Sequence, residues 1–521
     1  MGFDSAGRVP TSEGSDVERG EPIVPAKVLL LGLDSASGGL VQRWMTTGDL
    51  PNLRRLRERG SWGLLSSPPG LGDDATWASF ATCMNPGAHG RFYFRTIEPA
   101  SYDYRRVRES DRKRESFWDS LSRQGRRTAV IDVPKCPLSQ EVNGLQLADW
   151  RVHGRDGPTR SFPPELASEV LDRYGDDDTD RPGTKDWLCR LETLEEAKLE
   201  GFLARLLESV ARKTSLAQEL LAREDWDLFL LVFKEAHCAG HQCWHLVDPT
   251  HPAYSASLAE RLANPLLRVY QALDHAVGEL AAQIAPDGHL LVFSDLDMGP
   301  NYTGEQLLDD ILATLETRLW PSRVKGKLGW RQAVHALERR LVQPLTGRRP
   351  KADRIRPGRV VSQLEHNEIS GAVRLNLQGR EPAGTVAPGA DCEAIIAALT
   401  RELLQLVNPV TGGPAVREVL RSDRLFHGDH TGLLPDLLVV WNRDAPLHVV
   451  RSPLLGTIHG RDARYRTGNH LADGFCLAAG TILSGRPDFR GSITDIGPTV
   501  AHLLGIRLDG VEGRPIRELC P

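Results

Sequence analysis

The sequence has no apolar run near the ~20 residues that span a bilayer. Its longest, Val28 to Leu33 and Leu228 to Phe233, have the length of a buried strand, so no transmembrane helix is expected. Cysteine is sparse. The eight residues at 83, 136, 189, 238, 243, 392, 476 and 520 include no Cys-x-x-Cys pair, and 521 residues are enough to bury a core without staples, so they read as reduced packing thiols. Excess charge of one sign is also missing: 64 Lys+Arg face 69 Asp+Glu, a net of −5, which gives no global attraction for nucleic acid. The polar, acidic stretch from Met1 to Pro22 lacks the basic start and apolar centre of a secretory signal. Residues 1–25 are expected to be a disordered lead-in to a cytoplasmic protein.

What is present is an ordinary globular balance, 40% hydrophobic and 26% charged. Short leucine-rich or β-branched runs alternate with longer amphipathic stretches, the signature of βα units on a doubly wound, mostly parallel sheet flanked by helices. Strands are predicted at Val28 to Leu33, Trp62 to Leu65, Thr128 to Val133, Leu228 to Phe233, His289 to Phe293, Asp436 to Trp441 and Phe475 to Ala479. Helices are predicted at Leu40 to Glu58, Ser116 to Gln124, Leu191 to Ala222, Ala259 to Ile284, Gly304 to Thr317, Cys392 to Leu406 and Asp495 to Leu504. From Arg323 to Arg359, twelve Lys/Arg stand against Glu338 and Asp353, a local charge of +10. This is either a cap that attracts an anionic substrate or a solvated helix with a basic loop.

In a doubly wound sheet, reactive groups gather at the carboxyl ends of the strands. Asp34 closes the first strand. His237 and His241 follow the strand ending at Phe233; Asp295 and Asp297 follow the one ending at Phe293; His470 precedes the strand at Phe475. A spacing of four puts His237 and His241 on one helical face, within reach of one metal ion, although a single HxxxH also serves as a cap or as packing. In Asp73-Asp74-Ala75-Thr76-Trp77, Thr76 is a candidate nucleophile at a helix N-terminus, where free N–H groups favour a phosphoryl oxygen. Asp73, Asp74 or Thr76 can equally be the N-cap of that helix.

These blocks together resemble the alkaline phosphatase superfamily, in its type I phosphodiesterase and nucleotide pyrophosphatase-like branch. The resemblance rests on Val28-Leu-Leu-Leu-Gly-Leu-Asp34, Trp77-Ala-Ser-Phe-Ala-Thr with Asn85-Pro-Gly-Ala-His-Gly, the segment through His237 and His241, Phe293-Ser-Asp, and Asp495-Ile-Gly-Pro-Thr-Val. Arg374-Leu-Asn-Leu-Gln-Gly-Arg-Glu-Pro and Leu434-Pro-Asp-Leu-Leu-Val-Val-Trp extend it, so residues 361–441 are expected within the same catalytic unit. The resemblance implies an alkaline phosphatase-like core in two parts, 26–320 and 361–521, around a basic insertion or cap at 321–360. It also implies two divalent metals, zinc or else manganese, at the carboxyl edge of the sheet.

By the same resemblance, one metal falls to His237, His241 and His470, with His237 where the family has Asp. The other falls to Asp34, a nucleophile at Asp73 or Thr76, Asp295, and position 296. Position 296 holds leucine where the family has histidine, which weakens the second site unless Asp297 substitutes. No cysteine sits in the CxPxR context of a sulfatase. The expected activity is metal-dependent hydrolysis of a phosphate ester, phosphodiesterase-like, on a small anionic substrate. The alternatives are a superfamily member recruited to other metal-dependent chemistry in small-molecule biosynthesis, or an inactive binding protein of the same fold.

Overall fold

The run Val28–Leu33 is buried at all six positions, the pattern of a strand covered on both faces. In a computed structural model of the chain it lies at the centre of a nine-stranded sheet. The structure describes residues 27–520 apart from 99, 109, 110, 112, 113, 156, 178–190, 192, 285, 286, 324–357, 366, 461–465 and 481–486. The strand order is Phe489–Ser492, Ser61–Ser66, Gly474–Gly480, His289–Phe293, Val28–Leu33, Leu228–Phe233, Thr128–Ile131, Gly144–Ala148 and Arg160–Phe162. Val28 is in parallel register with both Leu228 and His289. Gly474–Gly480 is antiparallel to both of its neighbours, and Arg160–Phe162 to Gly144–Ala148. The remaining ladders are parallel, so the sheet is the expected α/β, mostly parallel one.

Alternation along the central strand feeds two separate cores. Leu29, Leu31 and Leu33 pack with helices Glu196–Arg223 and Pro265–Ala281. Val28 and Leu30 pack on the other face with Trp77, Phe80, Phe117 and Val500 of helices Asp73–Thr82, Phe117–Arg123 and Ile496–Leu503. Each fully buried leucine contributes about 1.5–3 kcal/mol, which makes this strand the anchor for every group attached to its end.

Three expectations change in detail. The helix predicted from Leu40 to Glu58 is two, Gly38–Thr47 and Pro51–Arg59, because Gly48 takes φ +89° as a left-handed cap and Pro51 restarts the helix. The one predicted from Ala259 to Ile284 breaks in the same way before Pro265. The strand predicted at Asp436 to Trp441 forms at Leu437–Trp441, outside the central sheet. It belongs to a four-stranded antiparallel sheet with Val361–Gln363, Ser370–Leu375 and Val416–Arg421, which shares a core of its own with helices Leu308–Leu319 and Ala390–Leu404.

This second sheet is tied to the edge of the first. The Asn367 amide and the Ser370 hydroxyl both donate to the Gly70 carbonyl, at 2.8 and 2.6 Å. A Cβ on Gly72 would lie 2.1 Å from the Asn367 carbonyl oxygen, so only glycine permits the approach.

Most of the expected basic insertion at 321–360 lies outside the described residues. At its described ends, Arg323 pairs with Asp391 at 2.6 Å and Arg359 with Glu316 at 2.6 Å. Cysteine corrects one expectation. Cys83, Cys136, Cys243, Cys392, Cys476 and Cys520 are free, but Cys238 is disulfide-bonded, a pairing set by the fold and invisible in sequence spacing. Among the described residues, no helix is long and apolar enough to cross a membrane.

Candidate active site

Helix Glu235–Cys243 starts directly after the strand Leu228–Phe233 and is buried at every position. Its four-residue spacing turns His237 and His241 to one side. His470 arrives from the strand Gly468–Leu471, whose first residue packs against the helix so closely that a Cβ on Gly468 would lie 2.1 Å from the Gly240 carbonyl oxygen. The three ring centroids are 4.6, 4.7 and 4.8 Å apart, and one ligating atom from each ring lies within 4.8 Å of the others. Nε2 of His237 and Nε2 of His241 are 3.1 Å apart, close to the ~3.3 Å between two nitrogens that share a tetrahedral ion.

The remaining nitrogens have partners of their own. His241 Nδ1 faces both the Gly468 carbonyl, which can only accept, at 2.9 Å and the Arg466 Nε–H, which can only donate, at 3.0 Å. His237 Nδ1 faces the Asp34 carboxylate at 3.2 Å. A carboxylate behind Nδ1 of His237 is the usual support of a metal-binding imidazole, while Nε2 of His241 accepts from the Arg466 guanidinium. Burial, helped by the Arg466 charge, holds His241 well below the ordinary histidine range, and burial pushes His470 down to about 4. For His237 burial acts downward too, but Asp34 outweighs it and the net direction is up.

Carboxylates line the adjoining strand ends. Asp34 follows the first strand and also accepts from the Ser35 hydroxyl at 3.1 Å. Asp295 accepts from the Ser35 backbone N–H at 2.9 Å, while its Oδ2 is buried with no hydrogen-bond partner. Burial together with the charges of Asp34 and Asp73 raises Asp295 well above the usual carboxylate range. Asp73 is the first residue of helix Asp73–Thr82; one of its oxygens accepts from the Asp74 N–H at 2.8 Å. Burial and the neighbouring Asp74 push Asp73 up to about 7, against the opposing charges of Lys135 and His237. Burial acts upward on Asp34 as well, but His237 and His470 outweigh it and the net direction is down; Asp73 and Asp295, both raised, need a cation nearby to ionise beside it.

The other sequence candidates lie differently. The Thr76 hydroxyl donates to the Gly72 carbonyl at 2.9 Å, one turn back in its own helix, and is fully buried there. Asp74 is held by the Arg91 guanidinium at 2.5 Å. Leu296 is wholly buried; its carbonyl accepts from the Ser294 hydroxyl, and its side chain offers no donor atom. Asp297 accepts from the Met298 N–H at 2.7 Å and from Ser37 and Gly38 at the start of helix Gly38–Thr47, where it caps rather than replaces the missing histidine.

Residues that no motif signalled complete the crevice. Glu368 Oε2 lies 2.8 Å from His470 Nε2 and 2.6 Å from Arg466 Nη2, and the Glu368 Oε1 accepts from the Tyr93 hydroxyl at 3.5 Å. Arg466 Nη2 is also 2.5 Å from His241 Nε2. The His153 ring lies over His237, centroid to centroid 4.2 Å. Arg466 stands four residues before His470 and was open to suspicion on that ground; Glu368 had no such neighbour.

Residues 28–456 match the sequence model of the family described as type I phosphodiesterase / nucleotide pyrophosphatase. No curated protein matches the sequence. Among solved structures, a phosphonoacetate hydrolase from Sinorhizobium meliloti in complex with phosphonoformate is similar at 15% identity and a TM-score of 0.45, covering 88% of this chain and 90% of its own. A murine ectonucleotide pyrophosphatase / phosphodiesterase 5, an inactive form in complex with AMP, is similar at 12% identity and a TM-score of 0.45, covering 94% and 97%. The human ectonucleotide pyrophosphatase / phosphodiesterase 5 is similar at 13% identity and a TM-score of 0.45.

Proposed function

The chain belongs to the type I phosphodiesterase / nucleotide pyrophosphatase family of phosphoester hydrolases, and on that premise we propose that it hydrolyses a small anionic phosphate ester with a divalent metal held by His237, His241 and His470. The observation that carries the reading is the convergence of three buried imidazoles whose ligating atoms lie within 4.8 Å of one another. Their chemistry fits a divalent ion: His241 and His470 are held neutral by burial, and Nε2 of His237 and of His241 are 3.1 Å apart; Oδ2 of Asp295 is a buried acceptor without a hydrogen-bond partner. Zinc suits three nitrogen ligands best, with manganese as the alternative.

A bound divalent ion supplies a Lewis acid that draws charge from phosphoryl oxygens and makes bound water acidic. The chain's own residues do the rest. Asp73, at about 7, is poised near neutrality to take a proton from an attacking water, and we assign the catalytic role to it because the Thr76 hydroxyl is spent on Gly72. Lys135 and Arg466 bring positive charge toward the same crevice, which favours an anionic substrate. Asp34 and Asp295 supply carboxylates for a second, weaker ion. With Leu296 in place of a donor, one tight ion per chain is the expected stoichiometry.

Leu296 also favours a second reading, in which the three-histidine site serves other metal-dependent chemistry in small-molecule biosynthesis. The bonded Cys238 favours an oxidising compartment over the expected cytoplasmic one.

The test is elemental analysis of the dialysed protein, paired with hydrolysis of 4-nitrophenyl phosphate mono- and diesters before and after chelation. One tight equivalent of zinc, with hydrolysis abolished by chelator and restored by zinc, is the expected result. An ion without hydrolysis moves the assignment to the biosynthetic reading, and neither ion nor hydrolysis overturns both.

A further inference from the structure

A carboxylate from the second sheet reaches the point on which the three histidines converge. Glu368 Oε2 is 2.8 Å from His470 Nε2 and 3.9 Å from His241 Nε2. Donors that share one ion at about 2 Å are about 3.3 Å apart, and these two separations bracket that value.

The placement is built and held. Glu368 adopts φ +74°, a left-handed conformation that a non-glycine residue keeps only where the surroundings impose it. Arg443 imposes it from one side: one guanidinium nitrogen donates to the carbonyls of Glu368 and Ile369 at 2.8 and 3.1 Å, while the other donates to the carbonyl of His470. A single side chain therefore ties the residue carrying the carboxylate to the residue carrying the third imidazole. Asn367 imposes it from the other side, its Oδ1 accepting from the Ile369 and Ser370 N–H groups at 3.1 and 2.8 Å.

The local field agrees with the geometry. Arg466 Nη2 lies 2.5 Å from His241 Nε2 and 2.6 Å from Glu368 Oε2, so these two donor atoms already share a cationic group, which a bound ion would displace. We propose that Glu368 is the fourth protein ligand of the ion held by His237, His241 and His470. This rests on the three-histidine reading above and extends it. Three neutral nitrogens and one carboxylate oxygen select a divalent ion of intermediate hardness, such as zinc, manganese or ferrous iron, over calcium, which prefers an all-oxygen shell. They also leave the ion one unit less positive than three histidines alone.

Metal-stripped wild type, Glu368→Gln, Glu368→Asp and His470→Ala are titrated with Zn2+ against a chromophoric chelator, and the visible absorption of bound Co2+ is recorded for each. Thermal midpoints of the stripped proteins show that the variants fold. The expected result is a loss of affinity of roughly ten-fold or more in Glu368→Gln, with a smaller loss in Glu368→Asp and a changed Co2+ spectrum. Affinity within two-fold of wild type and an unchanged Co2+ spectrum in Glu368→Gln, while His470→Ala loses the ion, overturn the Glu368 assignment alone. Tighter binding in Glu368→Gln overturns it as well, since the carboxylate would then be competing with the ion's other partners. A wild type that binds no ion overturns the three-histidine reading and this one with it.

Discussion

The Asp34 carboxylate stands 3.2 Å from Nδ1 of His237, joining the residue that ends the central strand to the first imidazole of the cluster. Removing this support in Asp34→Ala frees the ring to rotate and to change tautomer. The expected cost is 10–100-fold in zinc affinity, read by titration against a competing chelator.

Asp73 and Thr76 separate cleanly by mutation. Asp73→Asn is expected to lower kcat on a 4-nitrophenyl ester by roughly 10²–10⁴-fold, the usual range for a lost acid or base. Thr76→Val is expected to keep kcat and to lower stability by about 1 kcal/mol, since only its bond to the Gly72 carbonyl is lost. Steady-state kinetics and urea unfolding on both variants check the pair.

Leu296→His restores a donor beside Asp295 and is expected to raise tightly bound metal from one to two equivalents per chain. Elemental analysis after dialysis reads this directly. An unchanged count would mean that the carboxylates of Asp34 and Asp295 are not arranged to share an ion with position 296.

His89 gives a pH dependence that does not involve the three-histidine cluster. Burial holds its imidazole down to about 3, between the Ser79 hydroxyl at 2.9 Å and the Arg91 N–H at 3.1 Å. The unfolded chain takes up the proton below about 6.5 and the folded one does not, so stability is full above that value and falls as pH drops toward 3. Thermal midpoints of His89→Gln measured from pH 7 to pH 4 should fall less steeply than those of wild type.

Much of this was legible in the sequence, for physical reasons that also explain the failures. Unbroken apolar runs such as Val28–Leu33 and Leu228–Phe233 leave no choice but a buried strand, and polar groups just beyond them have to lie at the sheet edge. The spacing of His237 and His241 carries its own geometry. By contrast, Val416–Arg421 alternates charge with apolar residues in a pattern that reads equally as helix, and only pairing with Leu437–Trp441 makes it a strand. The choice between Asp73 and Thr76 turns on where a helix begins to within one residue, which local propensity does not fix. Glu368 is an acid in a loop, with no spacing that ties it to the histidines; its place is set by Arg443 and by a sheet that pairs Ser370 with Val440.

Gly468 marks a tight contact in the site, and Gly468→Ala probes it. A methyl group there would sit 2.1 Å from the Gly240 carbonyl, pushing the His470 strand off the helix that carries His237 and His241. Overpacking of this kind costs about 1–3 kcal/mol, so a lower thermal midpoint and weaker zinc binding are expected together.

The position of Gly474–Gly480 has a temporal meaning. This strand is inserted between Ser61–Ser66 and His289–Phe293, both of which precede it in the chain, so the sheet stays split, with two raw edges, until this segment has been made. His470 lies just ahead of it and arrives with it. Closing the sheet and bringing the third imidazole to the cluster therefore depend on one stretch of chain.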